Sequence, residues 1–111
     1  MAKSNKPILW LPFAAGGLVA ALITPAIILV GLGAAFGVLD LSYAKMAAIA
    51  HNPLGKLILL GVVALPAWHA AHRLRMTAHD LGLGGGIAVK LICYGTAWIV
   101  IATAVAALAA V

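Results

Sequence analysis

Three long apolar stretches, separated by short polar segments, constrain the fold of this chain more than any other feature. They cover residues 8–39, 54–81 and 87–111, and residues 16–33 contain no ionisable side chain. About 20 consecutive apolar residues suffice to cross the hydrocarbon core of a bilayer as a helix. The pattern therefore predicts an all-α integral membrane protein with three transmembrane helices.

The composition is that of a chain that lies in lipid, and it leaves little room for a soluble domain. Of the 111 residues, 66% are hydrophobic and 8% are charged, whereas charged residues make up roughly a quarter of a soluble domain. Besides the three apolar stretches, only a short N-terminal tail and two connections remain. We therefore expect residues 1–111 to form a single membrane-anchor domain.

The two connections differ in composition. Residues 40–53 mix polar side chains with alanines, which predicts a short interfacial helix on the outer side of the membrane. The glycine-rich run that begins at Gly82 predicts a flexible turn between two antiparallel helices. It does not have the pattern of a phosphate-binding loop, because no strand precedes it and no lysine–serine pair follows it.

Basic residues near the ends of the stretches predict the orientation of the chain. Five lie on one side of the membrane and two on the other, namely Lys3, Lys6, Arg73, Arg75 and Lys90 against Lys45 and Lys56. Lysine and arginine are enriched in cytoplasmic segments, so we expect a cytoplasmic N-terminus and a multi-pass location in the cell inner (cytoplasmic) membrane. The net charge of +5 is spread along the chain, so we expect lipid and no nucleic acid as a partner.

The chain has few of the side chains that catalysis requires. Its carboxylates are Asp40 and Asp80, whereas an active site for soluble substrates needs a water-facing pocket with several convergent polar groups. Cys93 is the single cysteine and has no partner for an internal disulfide. We therefore expect no catalytic residue and no metal site, and no enzymatic activity of this chain by itself.

The second half of the second stretch carries polar side chains at membrane depth. Residues spaced by three, four and seven share one face of a helix. One such face holds His69, His72, Arg73, Met76, His79 and Asp80. Ionisable side chains in a membrane are costly and usually face a protein interior, a cavity or the interface. The face is therefore either a solvated helix end with snorkelling arginines or part of a pocket at headgroup depth.

The predicted topology brings a tryptophan to the same depth. The first stretch starts, the second ends and the third starts at the same leaflet, so Trp10 lies level with residues 72–80. Tryptophan and tyrosine are enriched at membrane interfaces, and this is the default interpretation of Trp10, Tyr94 and Trp98. The shared depth makes Trp10 in addition a candidate for lining a pocket with residues 72–80.

Short motifs in the first two stretches match a known family in order and spacing. The first stretch contributes Ile8-Leu9-Trp10, Phe13, Ala15-Gly16-Gly17 and Thr24-Pro25-Ala26-Ile27-Ile28-Leu29, and Ser42-Tyr43 follows it. The second stretch contributes Leu65-Pro66-Ala67-Trp68, His72-Arg73 and His79-Asp80-Leu81. Over most of the chain these motifs resemble the D subunit of quinol:fumarate reductase, a membrane anchor.

The resemblance implies a membrane anchor that pairs with a second membrane anchor, the C subunit. Together the two anchors would hold an iron–sulfur protein, the B subunit, and a flavoprotein, the A subunit, at the cytoplasmic face. The resemblance also implies menaquinol as the electron donor, shared with the partner subunits and oxidised near the cytoplasmic surface during anaerobic respiration. It implies that this chain binds no haem.

A set of quinone-binding residues is carried over from the resemblance position by position. Trp10 and Arg73 fall where the family has quinone-site residues, and His72, His79 and Asp80 belong to the same motif. A quinol that loses two electrons also loses two protons, which imidazoles can accept near neutral pH. In this interpretation Arg73 hydrogen-bonds a quinone oxygen, Trp10 contacts the ring, and Asp80 orients one of the histidines.

Two alternatives stay open. Haem b takes imidazole ligands, and His69 or His72 could supply one in the membrane anchor of a succinate dehydrogenase. His69 lies outside the family pattern, and Arg75 and Met76 stand where well-known members have further histidines. The remote alternative is part of a small transporter or channel, although the first and third stretches lack the mid-membrane carboxylate or histidine that a proton-coupled pathway needs.

Overall fold

The computed structural model describes residues 6–111, which form four helices. These are α1 (Lys6–Ala35), α2 (Tyr43–His51), α3 (Pro53–Asp80) and α4 (Ile87–Ala110). Trp10–Ala35 within α1, and the whole of α3 and α4, are long and apolar enough to cross a membrane. The prediction of an all-α protein with three spanning helices is confirmed. The orientation stays a prediction, and Lys3, on which it partly rests, lies outside the described residues.

α1 ends at Ala35, four residues before the predicted end of the first stretch. Gly37 has a φ of +72°, a left-handed conformation that commonly ends helices and that other residues rarely adopt. The backbone N–H groups of Val38 and Leu39 both donate to the carbonyl of Gly33, at 2.8 and 3.0 Å. The chain turns here although residues 36–39 are as apolar as the helix before them. The apolar pattern therefore predicted a helix end four residues too late.

The connection between α1 and α3 contains the predicted short helix, and polar side chains define where its neighbours begin. Ser42 caps α2. Asn52 caps α3, because its Oδ1 accepts hydrogen bonds from the backbone N–H groups of Leu54 and Gly55 at 2.9 and 3.4 Å. Pro53, the first residue of α3, has no N–H to satisfy. The first turn of α3 is therefore fully hydrogen-bonded.

Replacing Asn52 with alanine is expected to lower the free energy of unfolding by about 0.5–2 kcal/mol, because two N–H groups lose their acceptor. Ser42→Ala is the matched control with a smaller expected effect, since the Ser42 hydroxyl accepts one bond at 3.4 Å. Reversible unfolding in mixed detergent micelles measures both. Equal effects of the two substitutions would show that the Asn52 cap adds nothing to α3.

α3 is the central helix, and small residues allow its neighbours to approach. The other helices pack against α3, whereas α1 and α4 make little or no contact with each other. The residues buried within the described ranges are Gly16 on α1, Ala71 on α3 and Ala97 on α4. A Cβ added at Gly16 would collide with the carbonyl oxygen of Leu65 on α3. Such small residues let helix backbones pack closely in lipid.

Most large apolar side chains of the spanning helices face outward. Leu22, Leu57 and Ile99, one from each helix, are all exposed. A soluble monomer rarely exposes apolar area on this scale, and in a bilayer the helices satisfy their own backbone polar groups. The exposed surface is therefore suited to lipid and to other membrane subunits.

A short turn joins α3 to α4 at the predicted position. Gly82 and Gly84 have φ values of +80° and +75°, which glycine adopts without steric cost. The N–H of Leu83 donates to the carbonyl of Ala78 at 3.0 Å and closes the end of α3. The last turns of α3 and the first turns of α4 consequently lie side by side.

Candidate functional site

A cluster of aromatic and imidazole side chains lies where the start of α1, the end of α3 and the start of α4 meet. His72 is eight residues from the end of α3 and Tyr94 is seven residues from the start of α4, about 12 and 10 Å at 1.5 Å per residue. Both side chains therefore lie at one level. We call the group the ring cluster, and it consists of Trp10, Phe13, Trp68, His69, His72, Tyr94 and Trp98.

His69 is held against α1 by a hydrogen bond and by stacking. Its Nδ1 lies 2.8 Å from the carbonyl oxygen of Phe13. A carbonyl can only accept, so Nδ1 carries a hydrogen and donates, and Nε2 of the neutral ring is left as an acceptor. The imidazole also stacks on the Phe13 ring, with centroids 4.5 Å apart and planes 10° from parallel. Gly17 leaves room for it, because a Cβ there would lie 2.6 Å from His69 Cε1.

His72 contacts both outer helices. Its Nδ1 lies 2.9 Å from Tyr94 Oη on α4. Its ring meets the Phe13 ring on α1 edge-on, with centroids 4.6 Å apart and an angle of 61° between the planes. Of the residues predicted to form a site, His72 is thus the one that connects all three spanning helices.

Trp10 joins the ring cluster at its outer edge. Its ring centroid lies 5.0 Å from that of Phe13, and the residue is 58% exposed. A shallow apolar hollow of about 350 Å³ lies beside it, lined by Pro7, Trp10, Leu11 and Ala14. The structure therefore brings two predicted residues, Trp10 and His72, into one group, with Phe13 between them.

The other three predicted residues lie on the exposed part of α3. Arg73 is exposed and makes no hydrogen bond or ion pair with any residue whose side chain is described. His79 Nδ1 and Asp80 Oδ1 are 3.8 Å apart, and their side chains are 64% and 75% exposed. That distance is too long for a hydrogen bond. His79 and Asp80 lie about 10–12 Å beyond His72 along the helix, and the structure does not bring them to the ring cluster.

Tyr94, Arg75 and Trp68 contribute to this region although the sequence did not single them out as site residues. Arg75 Nη1 lies 3.5 Å from Tyr94 Oη, and its Cζ lies 6.0 Å from the centre of the Tyr94 ring. The Trp68 and Tyr94 ring centroids are 5.2 Å apart. The contact between Tyr94 and His72 could have been predicted from the sequence, because residues at equal distances from a short turn on two antiparallel helices become neighbours. Tyr94 and His72 satisfy that condition.

The chemistry available to the ring cluster is hydrogen bonding between aromatic surfaces. Each of His69 and His72 uses Nδ1 for a contact within the chain, and neither Nε2 makes a hydrogen bond with any residue in the described part of the chain. Both Nε2 atoms can therefore bind a ligand. Within residues 6–111 as described, no three His, Cys, Asp or Glu side chains come together in a way that could hold a metal ion. The aromatic faces and the Nε2 atoms of the ring cluster suit a flat ring with polar atoms on its edge.

Comparison with known proteins identifies the family. The family model that describes the D subunit of fumarate reductase matches residues 1–109. The chain belongs to the family of fumarate reductase D subunits. The D subunit of Vibrio cholerae fumarate reductase is 44% identical over 107 residues, which are 93% of this chain and 82% of that protein. The corresponding proteins from Mycobacterium bovis and Photobacterium profundum are 42% and 39% identical, over 92% and 93% of this chain and 85% and 89% of their own lengths.

The resemblance inferred from the short motifs is thus confirmed. A fumarate reductase D subunit is, by its name, one part of an enzyme with other subunits. The family and the three apolar helices together make this chain a multi-pass membrane anchor of such a complex. The matched residues include α1, α3 and α4 up to position 109, so the whole ring cluster lies in the part that this chain shares with its family.

Proposed function

We propose that this chain anchors a quinol:fumarate reductase in the cytoplasmic membrane and forms part of its menaquinol oxidation site. The C subunit is the second membrane anchor, and the iron–sulfur protein and the flavoprotein bind at the cytoplasmic face. The proposal is carried by the convergence of Trp10 and His72 on Phe13, at the level where the three spanning helices meet.

The distribution of basic residues supports a cytoplasmic position for the ring cluster. Arg73, Arg75 and Lys90 lie on the helix ends that carry the cluster, and Lys45 and Lys56 lie towards the opposite end. Lysine and arginine favour the cytoplasmic side. A quinol bound near this end would lie close to a soluble iron–sulfur protein, which shortens the path for its electrons.

The ring cluster fits the head group of a quinol, which is an aromatic ring with two hydroxyl groups on opposite edges. Trp10 and Phe13 offer apolar ring surfaces. His69 and His72 offer Nε2 atoms that make no hydrogen bond with the residues described here. Arg73 follows His69 by one helical turn, and its exposed guanidinium is free to reach an oxygen at the edge of the same site.

Quinol oxidation releases two electrons and two protons, and fumarate takes up two electrons and two protons to become succinate. Imidazole is the side chain best suited in general to accept protons near neutral pH. Arg73 donates a hydrogen bond to a head-group oxygen and favours the negative charge left when a proton departs. In this proposal the protons leave for water at the end of α3, where His79 and Asp80 are exposed. The electrons go to the iron–sulfur protein and then to the flavin.

One observation favours a second candidate, a haem-b anchor of a succinate dehydrogenase. Histidines that bind a metal through Nε2 commonly donate their Nδ1–H to a carbonyl or carboxylate. His69 makes that contact with the Phe13 carbonyl, and its Nε2 is available as an iron ligand. This candidate predicts absorption bands of reduced haem that disappear when His69 is replaced by leucine.

Purification of the tagged chain in mild detergent, with an absorption spectrum of the same sample, tests both candidates. We expect a flavoprotein, an iron–sulfur protein and a second small membrane protein to co-purify without haem bands. Haem bands that are lost in His69→Leu but kept in His51→Leu, an exposed histidine of α2, would favour the succinate dehydrogenase anchor. Recovery of the chain alone would contradict both proposals and favour a transporter or channel.

A further inference from the structure

The two imidazoles of the ring cluster use the same ring atom for different kinds of contact. His69 Nδ1 faces the Phe13 carbonyl, which only accepts, whereas His72 Nδ1 faces the Tyr94 hydroxyl, which can donate or accept. The position of the hydrogen on each neutral ring is therefore set by a different partner. In His69 it must lie on Nδ1.

Arg75 sets the direction of the hydrogen bond between Tyr94 and His72. Its Nη1 lies 3.5 Å from Tyr94 Oη, and a guanidinium can only donate. If His72 Nδ1–H also donated to that oxygen, the Tyr94 O–H would find no acceptor among the described contacts, and an unpaired half-buried hydroxyl costs free energy. The arrangement that satisfies all three groups has Tyr94 O–H donating to His72 Nδ1. The hydrogen of neutral His72 then lies on Nε2.

We propose that His69 and His72 are held in opposite neutral tautomers and so present one acceptor nitrogen and one N–H donor to a hydroquinone head group. His69 offers a bare Nε2, which accepts a hydrogen bond from a hydroxyl group. His72 offers Nε2–H, which donates to an oxygen. Tyr94, directed by Arg75, is a positioning residue that acts through His72. This assignment rests on the proposed quinol site and specifies how the site recognises its ligand.

The two rings are close enough to serve one head group. Both contact Phe13, with centroid distances of 4.5 Å for His69 and 4.6 Å for His72. They are three residues apart, and residues at that spacing are neighbours on a helix surface. A hydroquinone hydroxyl both donates and accepts hydrogen bonds. A site with one acceptor nitrogen and one N–H donor can therefore accept a bond from a head-group hydroxyl and also donate one to a head-group oxygen. Two rings with Nε2–H could not accept the hydrogen that the ligand must give up.

Nitrogen NMR of the assembled complex, with ¹⁵N-histidine only in this chain, tests the tautomers directly. The four histidines of the chain are assigned from variants in which each is replaced in turn, and spectra are recorded at a pH where the rings are neutral. We expect the hydrogen on Nδ1 of His69 and on Nε2 of His72. The same tautomer at both rings of the wild-type chain would overturn the proposal.

Tyr94→Phe tests the positioning role, because it removes the hydroxyl and keeps the ring that contacts Trp68. We expect the His72 signals to change to a mixture of both tautomers and the His69 signals to stay as they are. Tyr43→Phe is the matched control, since Tyr43 is 88% exposed on α2, and it should change neither ring. An unchanged His72 tautomer in Tyr94→Phe would overturn the role of Tyr94.

Enzyme activity distinguishes this inference from the proposed function. We expect Tyr94→Phe to lower kcat of quinol-dependent fumarate reduction about fivefold, the usual value of one hydrogen bond, without changing the reduction of fumarate by a soluble dye. Suppose that His69 and His72 are opposite tautomers in the wild type, but Tyr94→Phe oxidises quinol at the normal rate. The tautomer pair would then not be needed for binding quinol, and that part of the proposal would be overturned. Identical tautomers in a complex that still oxidises quinol would overturn the inference and leave the proposed function intact.

Discussion

Replacing Arg73 with leucine is expected to lower quinol-dependent fumarate reduction by about 10- to 100-fold and to leave reduction by a soluble dye at the wild-type rate. A hydrogen bond to a charged group contributes about 1.5–3 kcal/mol, which corresponds to this range of rates. Arg73 is exposed and has no ion-pair or hydrogen-bond partner among the described residues. If Arg73 binds the quinol head group as proposed, its loss removes that interaction and leaves the helix packing unchanged.

Two further variants control for charge and for assembly in that experiment. Arg73→Lys keeps the positive charge but loses the planar fork of donors, so its quinol-dependent rate should lie between those of Arg73→Leu and the wild type. Lys90→Leu removes a positive charge from the same end of the molecule and should have little effect. A normal quinol-dependent rate in Arg73→Leu would exclude Arg73 from the site, and an equal loss of both activities would indicate failed assembly.

Replacing Gly16 with alanine is expected to reduce strongly the amount of folded protein in the membrane. The added Cβ would collide with the carbonyl oxygen of Leu65 and lie 2.8 Å from His69 Cβ. The obstacle is helix backbone, which cannot rotate away as a side chain can, so α1 and α3 must separate. Overpacking of this kind costs about 1–3 kcal/mol or more, and the same separation would break the hydrogen bond from His69 to Phe13.

Gly31→Ala is the matched control, because it lies in the same helix and a Cβ there would meet nothing within 4 Å. Immunoblots of membranes and the yield of co-purified proteins measure both variants, together with quinol-dependent fumarate reduction. Gly31→Ala should resemble the wild type. Normal amounts of an active Gly16→Ala complex would show that α1 and α3 do not pack through Gly16.

The elements of the fold could be predicted from the sequence, because a bilayer permits few arrangements of an apolar chain. Residues 87–111 had to be a helix, since an irregular backbone cannot satisfy its polar groups in lipid, and the glycines from Gly82 onward marked the turn before it. The end of α1 could not be located in the same way. Residues 36–39 are apolar, and Gly37 ends the helix through its backbone conformation, which apolar patterns do not register.

The packing of the helices was less predictable than their number. In a helix that is apolar all round, hydrophobic periodicity does not indicate which face meets a neighbour. Here the close approach at Gly16 sets the rotation of α1 against α3 and so brings Phe13 to His69. The helical face predicted for α3 is consequently divided, because His69 and His72 turn towards neighbouring helices and Arg73 stays outside.

Part of the candidate site could be predicted and part could not. Shared depth predicted that Trp10 and His72 lie in one region, and both side chains contact Phe13. The same reasoning about depth, applied to α4, would have placed Tyr94 beside His72. Tyr94 was instead interpreted as an interfacial anchor, which is a common role of tyrosine near a membrane surface. The separation of His79 and Asp80 from the ring cluster follows from helix geometry, because seven or eight residues of helix span about 10–12 Å. Matching short motifs grouped His79 and Asp80 with His72 without taking this distance along the helix into account.

The central position of α3 affects how the sequence of this protein can vary. α1 and α4 make little or no contact with each other, so a substitution in one of them does not directly alter the packing of the other. The effects of such substitutions on stability should therefore add. Substitutions on α3 have to suit two neighbours at once. His72, which touches Phe13 on one side and Tyr94 on the other, is the position where compensation in a single neighbour would not be enough.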